Sequence, residues 1–367
     1  MQESKVYFTD MRCRVGVTLL EKLDALIRDA GISEIDFKNR FAAIKIHFGE
    51  PGNLSFLRPN FAKTVAERIK ALGGKPFLTD CGTLYVGRRN NALLHLGAAM
   101  ENGFTPLSTG CHIIIADGLK GTDEVEVPII GGQYLKTAKI GRAIMDADII
   151  VSLNHFKGHE CTGFGGAIKN IGMGCGSRAG KMVMHNDGKP HVRRKLCIGC
   201  RFCAKCCAQS AIKFANDKAF IVEDKCVGCG RCIGSCSFNA IESEYSSAND
   251  MLCYKIVEYA KAVLNDRPQF HINIVNQVSP YCDCHAENDA AIVPDIGMFA
   301  SFDPVALDKA CIDAVNAAPA LHGTIMDGLE DKEDHFTSVH PSTDWRMQIE
   351  HAEKLGLGSG DYQLITI

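Results

Sequence analysis

The sequence lacks any run of about 18 apolar residues, so it offers no candidate membrane-spanning helix. It also lacks an excess of charge of either sign. Its 40 Lys and Arg stand against 43 Asp and Glu, for a formal net charge of -3. That balance gives no case for nucleic acid or an anionic membrane as the main partner. The opening stretch, MQESKVYFTDMRC, carries an acidic residue and no apolar core, unlike a secretory signal. The expected location is therefore the cytoplasm.

Cysteine is not lacking. There are 18, and in a reducing compartment metal binding explains such a number better than disulfides do. Nine of them fall between Cys197 and Cys236. Two segments there align with an offset of 29 residues: CIGCRFCAKCCAQSAI from Cys197 and CVGCGRCIGSCSFNAI from Cys226. Each carries C-x2-C-x2-C-x3-C, and the pair resembles the bacterial two-cluster ferredoxins. That resemblance implies two [4Fe–4S] clusters with exchanged fourth ligands. Cys197, Cys200, Cys203 and Cys236 would hold one; Cys226, Cys229, Cys232 and Cys207 would hold the other. The sequence departs from the ferredoxin run in one respect, since Ala208 and Ser237 replace the usual proline. Paired zinc sites are the competing reading, but they leave the third cysteine of each triplet unexplained. Cys206 has no ligand slot and reads as a small buried residue. The segment 190–245 holds nine Lys and Arg against five Asp and Glu. A solvated linker or an acidic redox partner, such as a ferredoxin, fits that excess.

Outside this segment apolar runs alternate with amphipathic ones. FAAIKIHF (41–48), KPFLTD (75–80), HIIIAD (112–117), DIIVSL (148–153) and FHINIV (270–275) read as strands. Residues 60–73, 88–101, 134–146 and 247–265 read as helices, and Asp303-Pro304 starts another as cap and first turn. The alternation predicts an α/β fold with a mostly parallel sheet and flanking helices, plus a small inserted α+β two-cluster ferredoxin domain. The expected division is 1–189 and 246–367 for the α/β domain, with 190–245 inserted. The last 50 or so residues read as a polar loop and one helix.

The segment HFKGHECTGFGGAIKNIGMGCG (155–176) follows a predicted strand, where open α/β sheets bind ligands. It is neither a G-x4-G-K-[ST] loop nor a G-x-G-x-x-G loop, because Ile168 breaks the second pattern. Gly165-Gly166 are placed to open a helix whose free N–H groups, with Lys169, would cradle an anion. Close strand–helix packing is the simpler use of the same glycines. The candidate site comprises Lys157, His159, Lys169 and His185, with Gly163, Gly165, Gly166 and Asn170 as cofactor-binding positions. SPYCDCHAEND (279–289) offers thiolate, carboxylate and imidazole in Cys282, Asp283, Cys284 and His285. It reads as a loop approaching the main pocket, with a soft-metal site as the alternative. Cys161 and Cys175 read as buried thiols, with a redox role as the alternative.

HFKGHECTGFGGAIKN, SFDPVALDKA, KIHFGEPGN (45–53) and LTDCGTLYVGRRN (78–90), together with the cysteine repeat, resemble domain-of-unknown-function family 362 in its ferredoxin-bearing form. The resemblance implies a redox protein of anaerobic bacteria or archaea. The glycine-rich segment is also similar to that of the lactate racemase family. There, a lysine tethers a nickel pincer nucleotide between an earlier proton-relay histidine and a later nickel-binding one. Carried over, Lys169 would be the tether, His185 the nickel ligand and His159 the acid/base. TGCH (109–112) is the candidate for a second relay histidine. Three functions follow. One is an iron–sulfur oxidoreductase with an anion-binding active site, taking electrons from or giving them to a ferredoxin-type partner. The others are a non-catalytic electron carrier or scaffold, and a racemase-like isomerase.

Overall fold

The computed structural model describes residues 4–84, 87–185, 190–226, 232, 236, 238, 240–243, 247–329 and 333–367. Its centre is an eight-stranded sheet in the order β16-β1-β15-β14-β7-β2-β3-β4. The strands are β1 (Ser4–Asp10), β2 (Phe41–Lys45), β3 (Lys75–Asp80), β4 (Ile113–Ile115), β7 (Ile149–His155), β14 (Gln269–Val275), β15 (Gly297–Ser301) and β16 (Tyr362–Thr366). Only β15 runs against its neighbours; every other pairing is parallel. All seven residues of β7 are buried, as expected for a central strand covered on both faces.

Helices supply both covers. Leu23 and Ile27 of the helix Leu19–Asp29 and Val65 and Ile69 of Pro59–Ala71 pack with Ile44 and Val151 on one face. On the other, Ala43 and Ile150 meet Ile168 of Ala167–Cys175, Ile256 of Ser247–Leu264 and Val305 of Pro304–Ala317. Helix starts are specified locally. Thr18 and Glu21 form a reciprocal capping box, and Asp303 accepts from the N–H groups of Val305 and Ala306, as its sequence position predicts. The α/β fold with a mostly parallel sheet and flanking helices is thus present.

Two regions differ from the sequence reading. Residues 134–146 do not form one helix. β6 (Thr137–Gly141) pairs with β5 (Glu124–Pro128), and only Arg142–Asp146 is helical. The alternation in EVEVP satisfies a hairpin, whose partner supplies the backbone bonds a helix would have made. The C-terminal region holds two helices, His335–Val339 and Arg346–Lys354, followed by β16 at the sheet edge. Within the cysteine-rich segment, β10 (Pro190–Val192) pairs antiparallel with β13 (Ile241–Ser243), and β11 (Ile212–Ala215) with β12 (Lys218–Ile221). A small separate core there includes Cys197, Cys203, Ile212, Ala219, Cys232 and Ile241. The described residues contain no helix long and apolar enough to cross a membrane.

Candidate functional site

The chain steps outward from β2 to β3 and β4, then returns to place β7 on the opposite side of β2. Such a reversal leaves a crevice at the C-terminal strand ends, the usual ligand position in open α/β sheets. Loops following β2, β3, β7 and β14 converge there. The first two build its base. Buried Arg89 donates to Glu50 Oε2 at 2.7 Å, and its Nη1 lies 2.6 Å from His47 Nε2. The other two carry the reactive groups.

The glycine-rich segment forms a hairpin, β8 (Lys157–His159) with β9 (Gly163–Gly165), before the helix Ala167–Cys175. Two glycines show what it packs against. The Gly158 N–H donates to Ser279 O at 2.8 Å, and a Cβ there would stand 2.4 Å from Pro280 O. The β7 and β14 loops therefore touch backbone to backbone. A Cβ on Gly166 would meet Asp308 Oδ1 at 2.2 Å. Asp308 accepts from Ala167 N at 2.7 Å, Ile168 N at 2.9 Å and Asn273 Nδ2 at 2.8 Å. This corrects the expected anion cradle. The helix N-terminus forms as predicted, but a carboxylate of the protein itself occupies it. Gly163 takes φ +76° beside Trp345, and Gly165 lies between the side chains of Lys157 and Lys169. Asn170 faces inward: its Oδ1 accepts from Lys45 Nζ at 2.7 Å and its Nδ2 donates to Asn154 Oδ1 at 2.6 Å.

Lys169 reaches Cys282, with Nζ 3.5 Å from Sγ. Hydrogen bonding from Cys284 outweighs the upward push of burial and, with the Lys169 charge and hydrogen bonding from His159, holds the Cys282 thiol well below its ordinary pKa. Cys282 is thus the sulfur favoured as thiolate, while the hydrogen bond between the two, followed by burial, raises Cys284 well above its ordinary pKa. Against the downward push of burial, Cys282, Cys284 and Glu160 hold the Lys169 ammonium above its usual value. His159 Nδ1 accepts from Cys161 N at 3.1 Å and Thr162 N at 3.2 Å. Its proton therefore sits on Nε2, 3.9 Å from Glu160 Oε1. Burial, followed by the Lys169 charge, pushes His185 down to about 3. Lys169 and His159 thus both border Cys282, and His185 lies within reach of the Lys169 charge. Lys157 lies differently. It is buried, 3.7 Å from Asp283 Oδ2, and His155 Nδ1 meets the same carboxylate at 2.9 Å. Against burial, these two neighbours hold the Asp283 carboxyl well below the usual carboxylate range.

TGCH does not join the site. It precedes β4, at the opposite end of the sheet, and His112 is exposed. Burial raises Cys161 and Cys175 to about 12, so both are protonated thiols. Glu160, overlooked in the sequence reading, faces His285 Nε2 at 2.8 Å and with Cys284 makes a compact donor group. The only sequence signal for it was its place between His159 and Cys161.

In the cysteine-rich segment a pocket is lined by Cys197, Cys200, Cys203 and Cys236 together with Phe214 and Phe238. Burial and the sulfurs of Cys200, Cys236 and Cys197 push Cys203 up to about 11. Three of these sulfurs come from the first repeat and one from the second. The repeat also recurs in the hydrogen bonding: Ala211 N donates to Cys207 Sγ and Ala240 N to Cys236 Sγ, each at 3.3 Å. Cys207 and Cys236 pack against the small core that contains Cys232, and Cys226 is half-buried. Cys229 lies outside the described residues. Cys206 is half-buried rather than buried.

The fold and site define an α/β protein with thiolate, imidazole and lysine groups gathered at a sheet switch point. The chain belongs to the family described as Domain of unknown function (DUF362), which matches residues 42–313. It is 28% identical over 131 residues to the Thylakoid-associated protein sll1697 of Synechocystis sp., covering 34% of this chain and 35% of that protein. The lactate racemase apoprotein of Thermoanaerobacterium thermosaccharolyticum aligns over 74% of this chain and 51% of its own, with 13% identity and a TM-score of 0.32. A Thermotoga maritima protein aligns over 80% of this chain and 57% of its own, with 14% identity and a TM-score of 0.33.

Proposed function

We propose that the protein is an iron–sulfur oxidoreductase. Two [4Fe–4S] clusters in the cysteine-rich segment exchange electrons with the switch-point site, where Lys169 draws a small anionic substrate beside the Cys282 thiolate. His159, whose Nε2 lies toward Glu160, is the group suited to proton transfer. A ferredoxin-type protein is the external electron partner. The observation that carries this reading is the four-cysteine pocket, which joins Cys236 to the three sulfurs of the first repeat. A zinc ribbon takes two cysteines from each of its two segments, whereas three from one segment and one from the other is the arrangement of two-cluster ferredoxins. The donors fit a cubane: four cysteines surround one pocket, with backbone N–H groups directed at sulfurs in the same segment.

Anaerobically purified protein should contain about eight iron and eight sulfide per chain. Cys236→Ala should remove about half of the iron, and adding Cys197→Ala should remove no more. Adding Cys226→Ala should remove the rest. Stoichiometric zinc without sulfide, or the reverse pattern of losses, refutes the crossed assignment.

A further inference from the structure

The geometry points to a divalent transition-metal site formed by Glu160, Cys284 and His285, of the thiolate–imidazole–carboxylate class that takes zinc(II). One donor atom from each residue lies within 4.8 Å of the other two. Donors around a tetrahedral zinc, with bonds of about 2.0–2.3 Å, stand roughly 3.3–3.8 Å apart. Small side-chain rotations close the difference. The three residues come from two loops, and those loops are fixed to each other without any metal by the backbone contact of Gly158 with Ser279 and Pro280.

Two features mark a cation site rather than a simple ion pair. Glu160 Oε1 already meets His285 Nε2 at 2.8 Å, yet its second oxygen, Oε2, is buried and makes no hydrogen bond among the described residues. A buried carboxylate oxygen without a partner calls for an explanation, and a bound cation supplies one. The second feature is the division of labour between the two sulfurs. Cys282 is paired with Lys169 at 3.5 Å, so Cys284 is the sulfur left for a metal. The cation replaces the Cys284 thiol proton, which passes to solvent. It also takes the place of the hydrogen between His285 Nε2 and Glu160, with His285 binding as the neutral ring that carries its proton on Nδ1. The Glu160 and His285 side chains are 30% and 18% exposed, which leaves a way in. Three protein ligands leave a fourth position for water or substrate, as in catalytic zinc sites. The assignment does not rest on the iron–sulfur reading.

The test uses full-length protein purified anaerobically, with iron and sulfide measured beforehand, titrated with Co2+ and followed by difference absorption. One equivalent should bind with a thiolate-to-cobalt charge-transfer band and intense tetrahedral d–d bands, and Zn2+ should displace it. Cys284→Ser should remove the charge-transfer band. Glu160→Gln and His285→Gln should each weaken binding at least about tenfold, the loss that even outer-shell substitutions cause. X-ray absorption of the zinc-loaded wild-type protein needs no variant. It should show one sulfur at about 2.3 Å with nitrogen and oxygen at about 2.0–2.2 Å. No cobalt binding by the wild-type protein, a band that survives Cys284→Ser, or a zinc shell of four sulfurs overturns the assignment.

Discussion

Lys169 and Cys282 set each other's charge. A lysine 3.5 Å from a buried sulfur favours thiolate, and the thiolate in turn keeps the ammonium protonated. Removing the cation should return the proton to sulfur. Each unit by which the Cys282 pKa rises lowers the thiolate-to-thiol ratio about tenfold. The prediction is spectroscopic. At neutral pH, subtracting the infrared spectrum of Cys282→Ser from that of the wild-type protein should show no S–H stretch for Cys282. In the Lys169→Ala background the same subtraction should reveal one. Lys169→Arg keeps the charge and should keep the thiolate. Iron content should be the same in all of these proteins. An S–H band already present in the wild-type difference would mean that Lys169 does not activate this sulfur.

At the scale of elements, the helix Ala167–Cys175 begins on the buried carboxylate of Asp308, which arrives from a helix 130 or more residues later in the chain. Burial raises Asp308 to about 6, even though three hydrogen bonds favour its ionised form. The sign follows from proton binding. The folded state holds this proton up to a higher pH than the unfolded chain, whose aspartates titrate near 3.9. The contribution is complete below about pH 4 and is lost as pH rises through about 6. Measured by denaturant unfolding, the stability of the wild-type protein relative to Asp308→Asn should fall by roughly 2–3 kcal/mol between pH 4 and 7. A flat or rising difference would contradict the burial argument. Asp308 also shows where sequence reading stopped. SFDPVALDKA disclosed its local cap, Asp303, because that partner lies two and three residues away. The partner of Asp308 lies 141 residues away, and nothing local announces it. The strands tell the same story. KPFLTD was legible to the residue, and β7 and β14 nearly so. Ile149-Ile150-Val151 is the apolar run expected of a central parallel strand, while β3 and β14 carry apolar residues of strand length interrupted by Thr79, His271 and Asn273. β1, β15 and β16 went unread. Their burial is uneven or their runs short, and their positions depend on pairing between opposite ends of the chain.

At the scale of the whole molecule, the cysteine repeat was legible as a repeat, since its spacing is encoded within a few residues. The switch-point site was only half legible. Its glycine-rich arm announced itself through Lys169 and His159, but the pairing of that arm with Cys282 and Cys284 depends on strand order. The way the cysteine-rich segment leaves the chain and returns makes a last prediction. Pro190 pairs with Ser243 and Val192 with Ile241, so the segment enters and exits through one antiparallel neck. Among the described residues, those from 193 to 240 contribute to neither of the two large cores on the faces of the main sheet. Directly opposed residues in such a ladder lie about 4.5–5.5 Å apart, a gap that a two-residue hairpin turn spans. Replacing residues 193–240 with Asn-Gly should therefore leave an α/β domain that unfolds cooperatively. That shortened chain should lose all of its iron, retain the Cys282 thiolate, and still bind one Co2+ in a Cys284-dependent manner. If instead the shortened chain is unfolded, or loses the cobalt signal along with the iron, the cysteine-rich segment is an integral part of the core rather than an insertion.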